Sequence, residues 1–263
     1  MLPDEDRTRL AQATRFDDVR WFPELDSTNR YLLDEARRGA GRGVVAVADH
    51  QTAGRGRLGR SWTAPAGSSL LVSVLLWPAT LDLGVDEYHL AVSAAGLAAR
   101  AACLAVAGVA AGLKWPNDLV VGHRKLAGIL AEAEGPALVV GTGLNVNWPS
   151  DPPDELAGIA VALNQLTGRT TDRAELLVGF LRALDERLGQ LSAGMEGRAR
   201  LMADYRAASA TLGRSVRIDV ADGSSITGRA HSIDDQGRLL VLAPGADAPV
   251  TVNAGDVVHL RGS

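Results

Sequence analysis

The sequence predicts an α+β fold, in which a mixed, mainly antiparallel sheet carries helices and is followed by a small C-terminal β-barrel. Between Lys114 and Val146, short apolar runs are separated by turns that are too short to contain a crossover helix. Neighbouring strands joined in this way must pair as antiparallel hairpins. After Gly213 the hydrophobic period changes to two, which is typical of an all-β unit.

The first half of the chain predicts helices and strands in alternation. Ser27 or Thr28 can cap a helix that runs to about Arg38, with Leu32 and Leu33 on its apolar face. Three glycines then precede a buried strand. The elements predicted after this helix are strands at 44–48 and 70–76 and a long helix of small residues at 86–107.

The hairpin region is expected to complete one mixed sheet that has its helices on one face. Its strands are predicted at 118–121, 125–133 and 137–142. A proline-rich loop at 148–158 and two helices at 173–191 and 195–208 follow.

The C-terminal unit is predicted to be a β-barrel of SH3-like size. Its five strands are placed at 215–220, 226–233, 239–242, 250–253 and 257–260. We place a domain boundary near Thr211, so that residues 1–210 form a catalytic domain and residues 211–263 the barrel.

Composition restricts the class of protein. The chain has 263 residues, a net charge of −4 and a pI of about 5.7. A protein whose main partner is nucleic acid neutralises phosphates with Lys and Arg, so an acidic chain argues against that class. The single cysteine, Cys103, excludes an internal disulfide and fits a reducing compartment.

No segment of the chain is expected to enter a membrane. The N-terminus is charged and lacks the apolar region of a signal peptide. The most apolar run, at 90–113, consists mostly of Ala and Gly and is interrupted by Arg100, which is typical of a buried core helix. We expect a cytoplasmic protein.

The most informative segment lies between His50 and Trp62, and it places Arg55, Arg57 and Arg60 among three glycines. Glycine lets the backbone approach a ligand closely, and the guanidinium fork matches phosphate and carboxylate groups. We call residues 54–60 the Arg/Gly loop and predict that it closes over an anion. A solvated basic loop is the plainer interpretation, and a segment that binds RNA or the A·T-rich minor groove is another. Such nucleic-acid segments normally occur in basic, disordered chains.

Four segments, in this order, resemble the biotin protein ligases. The resemblance is close over about residues 26–147 and looser in the C-terminal tail. The segments are Asp26-Ser-Thr-Asn29, Gly54-Arg-Gly-Arg-Leu-Gly-Arg60, Lys114-Trp-Pro-Asn-Asp118 and Lys125-Leu-Ala-Gly-Ile-Leu-Ala-Glu132. The resemblance implies a fold like that of class II synthetases and biotin ligases.

The reaction that this resemblance implies is ATP-dependent biotinylation. A carboxylate must be activated before an amine can attack it, and reaction with ATP gives biotinoyl-5′-AMP. Because two anions must meet, such catalysis consists mainly of positioning and cationic stabilisation. The implied ligands are biotin, ATP and Mg²⁺, and the implied acceptor is a lysine of a biotin carboxyl carrier domain.

The resemblance also assigns roles to individual residues. Arg57 and Lys125 are the expected catalytic groups. The expected biotin-binding residues are Ser27, Thr28, Asn29, Gln51, Arg55, Gly56, Arg57 and Lys125. The expected nucleotide-binding residues are Gly54, Arg57, Arg60, Trp62, Lys114, Asn117, Asp118 and Asn145. Asp118 is the candidate magnesium ligand, and the segment at 141–147 is expected to border the site.

Other interpretations of these residues remain open. Ser27, Thr28 and Asn29 also form an ordinary helix N-cap, a lone lysine such as Lys125 is usually on the surface, and Trp62 can be a core residue as well as a stacking partner for adenine. Lipoate–protein ligases share the catalytic architecture, so lipoate is an alternative substrate.

DNA is not among the expected partners. About 25 residues precede the Ser-Thr-Asn motif, too few for a winged-helix module, so we expect no DNA binding. The sequence does not determine the oligomeric state.

Overall fold

A seven-stranded sheet forms the centre of the larger part of the molecule. The computed structural model describes residues 2–149, 156, 158–219, 224–253 and 255–260. The strands of this sheet are β1 (Asp18–Leu25), β2 (Val44–Gln51), β3 (Ser69–Leu76), β4 (Gly112–Lys114), β5 (Asp118–Val121), β6 (Arg124–Glu134) and β7 (Ala137–Asn145). The helices are α1 (Asp4–Ala13), α2 (Thr28–Arg37), α3 (Tyr88–Ala107), α4 (Leu163–Thr167), α5 (Arg173–Ser192) and α6 (Gly194–Ala207).

The strand order is β1-β2-β3-β7-β6-β5-β4. β1 and β2 are parallel, and every other neighbouring pair is antiparallel. The predicted α+β class and the predicted hairpins are confirmed. β1 and β4, like α1 and α4, are elements that the sequence analysis did not identify. The proline-rich loop predicted at 148–158 lies largely outside the described residues.

Helices cover both faces of this sheet, so the expectation of helices on one face was wrong. The long helices α3 and α5 pack on one face, against residues such as Val45 and Val72. α2 packs on the opposite face, where Leu32 meets Ala46 and Leu75. The reason is that β2 and β3 contain runs of consecutive buried residues, so side chains on both faces of these strands are buried. Such strands need helices or loops over both faces.

The helix rich in small residues is part of the core. Residues Val85–Ala107 are apolar and long enough to cross a membrane, but 67% of their apolar 18-residue window is buried inside the protein. Small side chains let α3 lie close to α5, which is its main helical neighbour. The prediction of a buried core helix is confirmed.

The C-terminal strands form a separate antiparallel sheet in the order β11-β10-β9-β8-β12. Each of the five predicted strands is present, with Val220 at the end of the first lying outside the described residues. Alternate side chains, such as Val216 and Ile218, are buried beneath it. The strands are β8 (Ser215–Asp219), β9 (Ser225–Ile233), β10 (Leu239–Leu242), β11 (Val250–Val252) and β12 (Asp256–His259).

Candidate functional site

A small cavity lies where the N-terminus of α2, the Arg/Gly loop and the face of β3, β7 and β6 meet. Its volume is about 60 Å³. The structure brings ten of the predicted site residues to its wall: Ser27, Thr28, Asn29, Gln51, Arg55, Gly56, Arg57, Trp62, Asn117 and Lys125. A volume this small is well below the roughly 300 Å³ of typical ligand pockets, so a ligand can enter only if part of the wall moves.

Lys125 reaches the cavity because β6 is irregular at this point. The pairing of β6 with β5 steps from Ala127 to Lys125, which leaves Leu126 as an extra residue. Leu126 and Ala127 are both buried in the core, whereas Lys125 lies at the cavity. Such a bulge re-aims a side chain, and bulges are frequent beside active sites.

The position of Lys125 is fixed on several sides. Its backbone N–H donates to the Ile159 carbonyl at 2.8 Å, and its carbonyl accepts from Val161 N–H at 2.9 Å. Its ammonium Nζ lies 2.7 Å from Asp118 Oδ1 and 5.4 Å from the centre of the Trp62 ring. This places a cation with a carboxylate partner at the base of the cavity.

Trp62 lies over two glycines that face each other across the β6–β7 pair, Gly128 and Gly143. A Cβ atom on Gly143 would be 2.7 Å from the indole, and one on Gly128 would be 3.1 Å from it. Only residues without a side chain leave room for the ring here. The indole Nε1 is buried and has no hydrogen-bond partner among the residues that the structure describes, so it is a donor available to a ligand.

The polar end of the cavity is a network of neutral groups. Gln51 Oε1 accepts from the backbone N–H of Thr28 at 2.8 Å and lies 3.0 Å from its hydroxyl. Ser73 Oγ lies 2.7 Å from Thr28 Oγ1 and donates to Asn29 Oδ1 at 2.6 Å. Ser27 occupies the N-cap position of α2 without a side-chain capping bond. Hydroxyl and amide groups of this kind suit a neutral polar ligand group.

The Arg/Gly loop is closed at its base by backbone hydrogen bonds. Gly56 N–H donates to the Arg60 carbonyl at 2.7 Å, and Trp62 N–H donates to the Gly54 carbonyl at 2.9 Å. Leu58 at the tip has a φ of 57°, a left-handed conformation that is uncommon for a residue with a side chain, and 66% of it is exposed.

Two arginines tie the loop to its surroundings. Arg57 donates to Asn117 Oδ1 at 3.1 Å and to the Gly255 carbonyl of the C-terminal sheet at 3.4 Å. Arg55 forms an ion pair with Glu132 at 2.7 Å. The loop therefore rests on both the large sheet and the C-terminal sheet.

The Lys-Trp-Pro-Asn-Asp turn connects β4 to β5 through a cis Trp115–Pro116 peptide bond. Asn117 exchanges two hydrogen bonds with Ile129, at 2.8 and 2.9 Å. The Trp115 indole donates to the Gly237 carbonyl at 2.8 Å, so the turn is also held by the C-terminal sheet.

Five predicted site residues do not line the cavity. Gly54 and Arg60 lie on the outer side of the loop. Asp118 is behind Lys125 as its ion-pair partner, and Asn145 is buried, with its amide 3.1 Å from the Val161 carbonyl and 3.4 Å from that of Lys125. Lys114 lies near His259 of the C-terminal sheet, where its charge contributes to lowering the pKa of that imidazole.

Several lining residues were not singled out from the sequence. Leu71 of β3 lines the cavity, whereas Ser73 of the same strand is buried and hydrogen-bonds the lining residues Thr28 and Asn29. A strand of apolar residues gives no signal that one of its members faces a ligand. The β6–β7 turn does give a signal for the glycines, because a two-residue turn at Gly135-Pro136 sets the register that pairs Gly128 with Gly143. The expectation that residues 141–147 border the site agrees with the position of Gly141 and Gly143.

Two family models match the chain. The one described as the biotin/lipoate A/B protein ligase family matches residues 21–147, and the one described as the biotin protein ligase C terminal domain matches residues 211–260.

Individual proteins are also similar. A biotin–[acetyl-CoA-carboxylase] ligase of Mycobacterium tuberculosis is 43% identical, over 90% of this chain and 87% of that protein. The bifunctional ligase/repressor BirA of Bacillus subtilis is 32% identical, over 82% of this chain and 67% of its own length. The structure of the biotin protein ligase from Aquifex aeolicus in complex with biotin and ATP matches with a TM-score of 0.81 and 29% identity, over 94% of this chain and 100% of that one.

Proposed function

Because this chain belongs to the biotin/lipoate A/B protein ligase family, we propose that it is a biotin protein ligase. It joins biotin to ATP to give biotinoyl-5′-AMP and pyrophosphate. The ε-amine of one lysine on the biotin carboxyl carrier domain of an acyl-CoA carboxylase then attacks this intermediate, and AMP leaves. The observation that carries the assignment is that one cavity joins a fixed cation, an arginine-bearing loop and a neutral polar end.

Lys125 holds the biotin carboxylate against the α-phosphate of ATP. These anions repel each other unless a cation lies between them. In the structure the ammonium group is paired with Asp118, so the bound anions and Asp118 share one cation. The carboxylate oxygen attacks the α-phosphorus, an anhydride bond forms, and the bond to the β-phosphate breaks to release pyrophosphate.

The other end of the cavity recognises the ring system of biotin. A cyclic urea has one carbonyl acceptor and two N–H donors, which need neutral partners. Ser27, Thr28, Asn29 and Gln51 supply hydroxyl and amide groups of both kinds.

The Arg/Gly loop retains the intermediate. Arg55, Gly56 and Arg57 contact biotin and the mixed anhydride, and the closed loop excludes water that would hydrolyse it. The nucleotide lies on the side of Asn117 and Trp62, with Gly54, Arg60, Lys114, Asp118 and Asn145 around it. Asn145 acts there by holding the backbone of Lys125.

Mg²⁺ accompanies ATP, and the residues present fit it. Magnesium prefers oxygen ligands and usually keeps several waters, so one carboxylate with the nucleotide phosphates suffices. Asp118 is the carboxylate at this side of the site, and the ion would neutralise phosphate charge.

Residues 1–210 are proposed as the catalytic domain and residues 211–263 as a C-terminal domain that supports the nucleotide side. The contacts of Arg57 with Gly255 and of Trp115 with Gly237 support this division of roles. We place the protein in the cytoplasm and propose that it does not bind DNA. Specific binding to biotin operator DNA in a gel shift would overturn the latter.

ATP–pyrophosphate exchange by the purified protein tests the function. We expect exchange that depends on biotin and not on lipoate, because adenylation is reversible only when the correct carboxylic acid is bound. Exchange with lipoate alone would assign the protein to the lipoate ligases. Absence of exchange with either acid would contradict a ligase.

A further inference from the structure

The carboxylate of Glu132 joins the Arg/Gly loop to the polar end of the cavity. Its Oε1 accepts a hydrogen bond from Arg55 Nη1 at 2.7 Å, and its Oε2 accepts one from Asn29 Nδ2 at 2.8 Å. Each oxygen thus has its own partner. Glu132 follows Gly128 and Leu130 at the strand period of two, so it stands on the same face of β6 as the cavity wall.

A negatively charged side chain beside a site for anionic substrates is unfavourable unless other contacts stabilise it. The proposed substrates, biotin and ATP, are anions, and a nearby negative charge would repel them. Glu132 is only about one-quarter exposed, and Asn29 is buried. The cost of holding a carboxylate here is offset if it is engaged by the arginine of the loop and by an amide that must be held in one orientation.

The orientation of Asn29 depends on Glu132. Both protons of its amide nitrogen are used, one by Glu132 and one by the Leu130 carbonyl at 3.2 Å. Its oxygen accepts from Ser73, which in turn contacts Thr28. A continuous set of hydrogen bonds therefore runs from Arg55 through Glu132 and Asn29 to the residues proposed to read the biotin ring.

We propose that Glu132 is a positioning residue that latches the Arg/Gly loop closed and couples that closure to the order of the biotin site. The latch itself is inferred from the hydrogen bonds of Glu132, and its effect on the bound intermediate rests on the proposed function. Because the cavity is too small for a ligand to enter past a closed loop, the latch must release and re-form in each cycle. An ion pair that is partly exposed to solvent is weak enough to do so.

Trypsin cleavage in the absence of substrates tests the latch without reference to activity. Trypsin needs a locally unfolded segment, so the rates of cleavage after Arg55, Arg57 and Arg60 report how often the loop opens, and fragment masses identify these cuts. The Glu132→Gln variant replaces the carboxylate by a neutral amide with a single acceptor oxygen, which cannot bind both Arg55 and Asn29 as the two carboxylate oxygens do. We therefore expect these cuts to be about fivefold faster.

Glu134→Gln is the matched control. Glu134 lies two residues further along the same strand and pairs with Arg37 of α2 instead of with a residue of the loop. We expect it to cleave at the wild-type rate. Equal cleavage of the loop in Glu132→Gln and in the wild type, or an equal increase in Glu134→Gln, would overturn the latch.

The functional consequence is measured as AMP released from biotin and ATP without any acceptor protein. A loop that opens more often lets water convert biotinoyl-5′-AMP to biotin and AMP, so we expect the rate of AMP release by Glu132→Gln, divided by its own rate of biotin-dependent exchange, to be about fivefold higher than in the wild type. Faster loop cleavage without faster AMP release would show that closure does not protect the intermediate. Absence of exchange in the wild type would refute the ligase assignment, while the cleavage result would still decide the latch.

Discussion

The floor of the site and the loop above it are held in different ways. The floor consists of Lys125, Gly128 and Gly143 on β6 and β7, and strand pairing and backbone hydrogen bonds fix it. The Arg/Gly loop is held to the rest of the protein by partly exposed side chains, chiefly Arg55 and Arg57. A rigid floor is suited to placing reacting groups, and a loosely held loop is suited to opening and closing. Changes in the floor should therefore affect chemistry, and changes in the loop should affect retention.

Replacing the cation of the floor should give the largest effect. In Lys125→Ala the cation proposed to lie between the carboxylate and the α-phosphate is lost, and Asp118 loses its partner. We expect biotin-dependent ATP–pyrophosphate exchange to fall by about 10²–10³-fold, the range found when one charge-stabilising group is removed from an active site.

Arg124→Ala is the control for this change, because it removes a cation one residue earlier on the same strand. It should leave exchange within about twofold of the wild type, since surface substitutions usually have small effects. If Lys125→Ala retained exchange close to that of the control, Lys125 would not be catalytic.

Filling the glycine floor should have a smaller effect that appears in binding. In Gly143→Ala the new Cβ would be 2.7 Å from the Trp62 indole, so the ring must move. Overpacking of this kind typically costs 1–3 kcal/mol. We expect the dissociation constant of biotin, measured by calorimetry, to rise about tenfold, which corresponds to about 1.4 kcal/mol.

Gly189→Ala provides the comparison for this variant. Gly189 lies within α5, and apart from its own stretch of helix no atom of the described residues is within 4 Å of the position of a new Cβ, so biotin binding should not change. Unchanged affinity in Gly143→Ala would mean that the position of Trp62 over the glycines is not needed for binding.

The floor could be predicted from the sequence better than the loop contacts could. Lys125 begins an apolar strand, and the short turns on either side of that strand define hairpins, so its place at the start of β6 follows from local pattern. The residues that the loop and the polar end of the cavity contact cannot be predicted from a local sequence pattern. Glu132 is 77 residues from Arg55, and Ser73 is 44 residues from Asn29. Such contacts depend on which strands become neighbours in the sheet.

The missing elements of the fold have a similar explanation. β1 contains Pro23 and charged residues, which a sequence argument assigns to a loop, yet as an edge strand it has one side free of pairing. Cover on both faces of the sheet follows only when the strand order is known, because β2 and β3 then become interior strands.

The smallest expected effect concerns the turn between β4 and β5, which is held by residues of the C-terminal part of the chain. Thr211 is buried, and its hydroxyl accepts from the backbone N–H of Trp115 at 3.0 Å and lies 3.2 Å from His259 Nε2. The Thr211 hydroxyl can donate its proton to His259 Nε2 only when that nitrogen is unprotonated, as in a neutral imidazole. Burial, together with the charges of Lys114 and Arg214, lowers the pKa of His259 to about 4.

This pKa predicts a loss of stability on acidification. In the unfolded chain a histidine has a pKa of about 6.5, so between pH 6.5 and 4 the unfolded state binds the proton and the folded state does not. Stability should be complete above pH 6.5 and decrease as the pH falls. Because His259 is partly exposed, we expect only about 1 kcal/mol of difference in the free energy of unfolding between pH 7.5 and 5. His259→Asn, which does not titrate, should lack this component in urea denaturation at the two pH values. The same pH dependence in both proteins would mean that the titration of His259 is not the source of the lost stability.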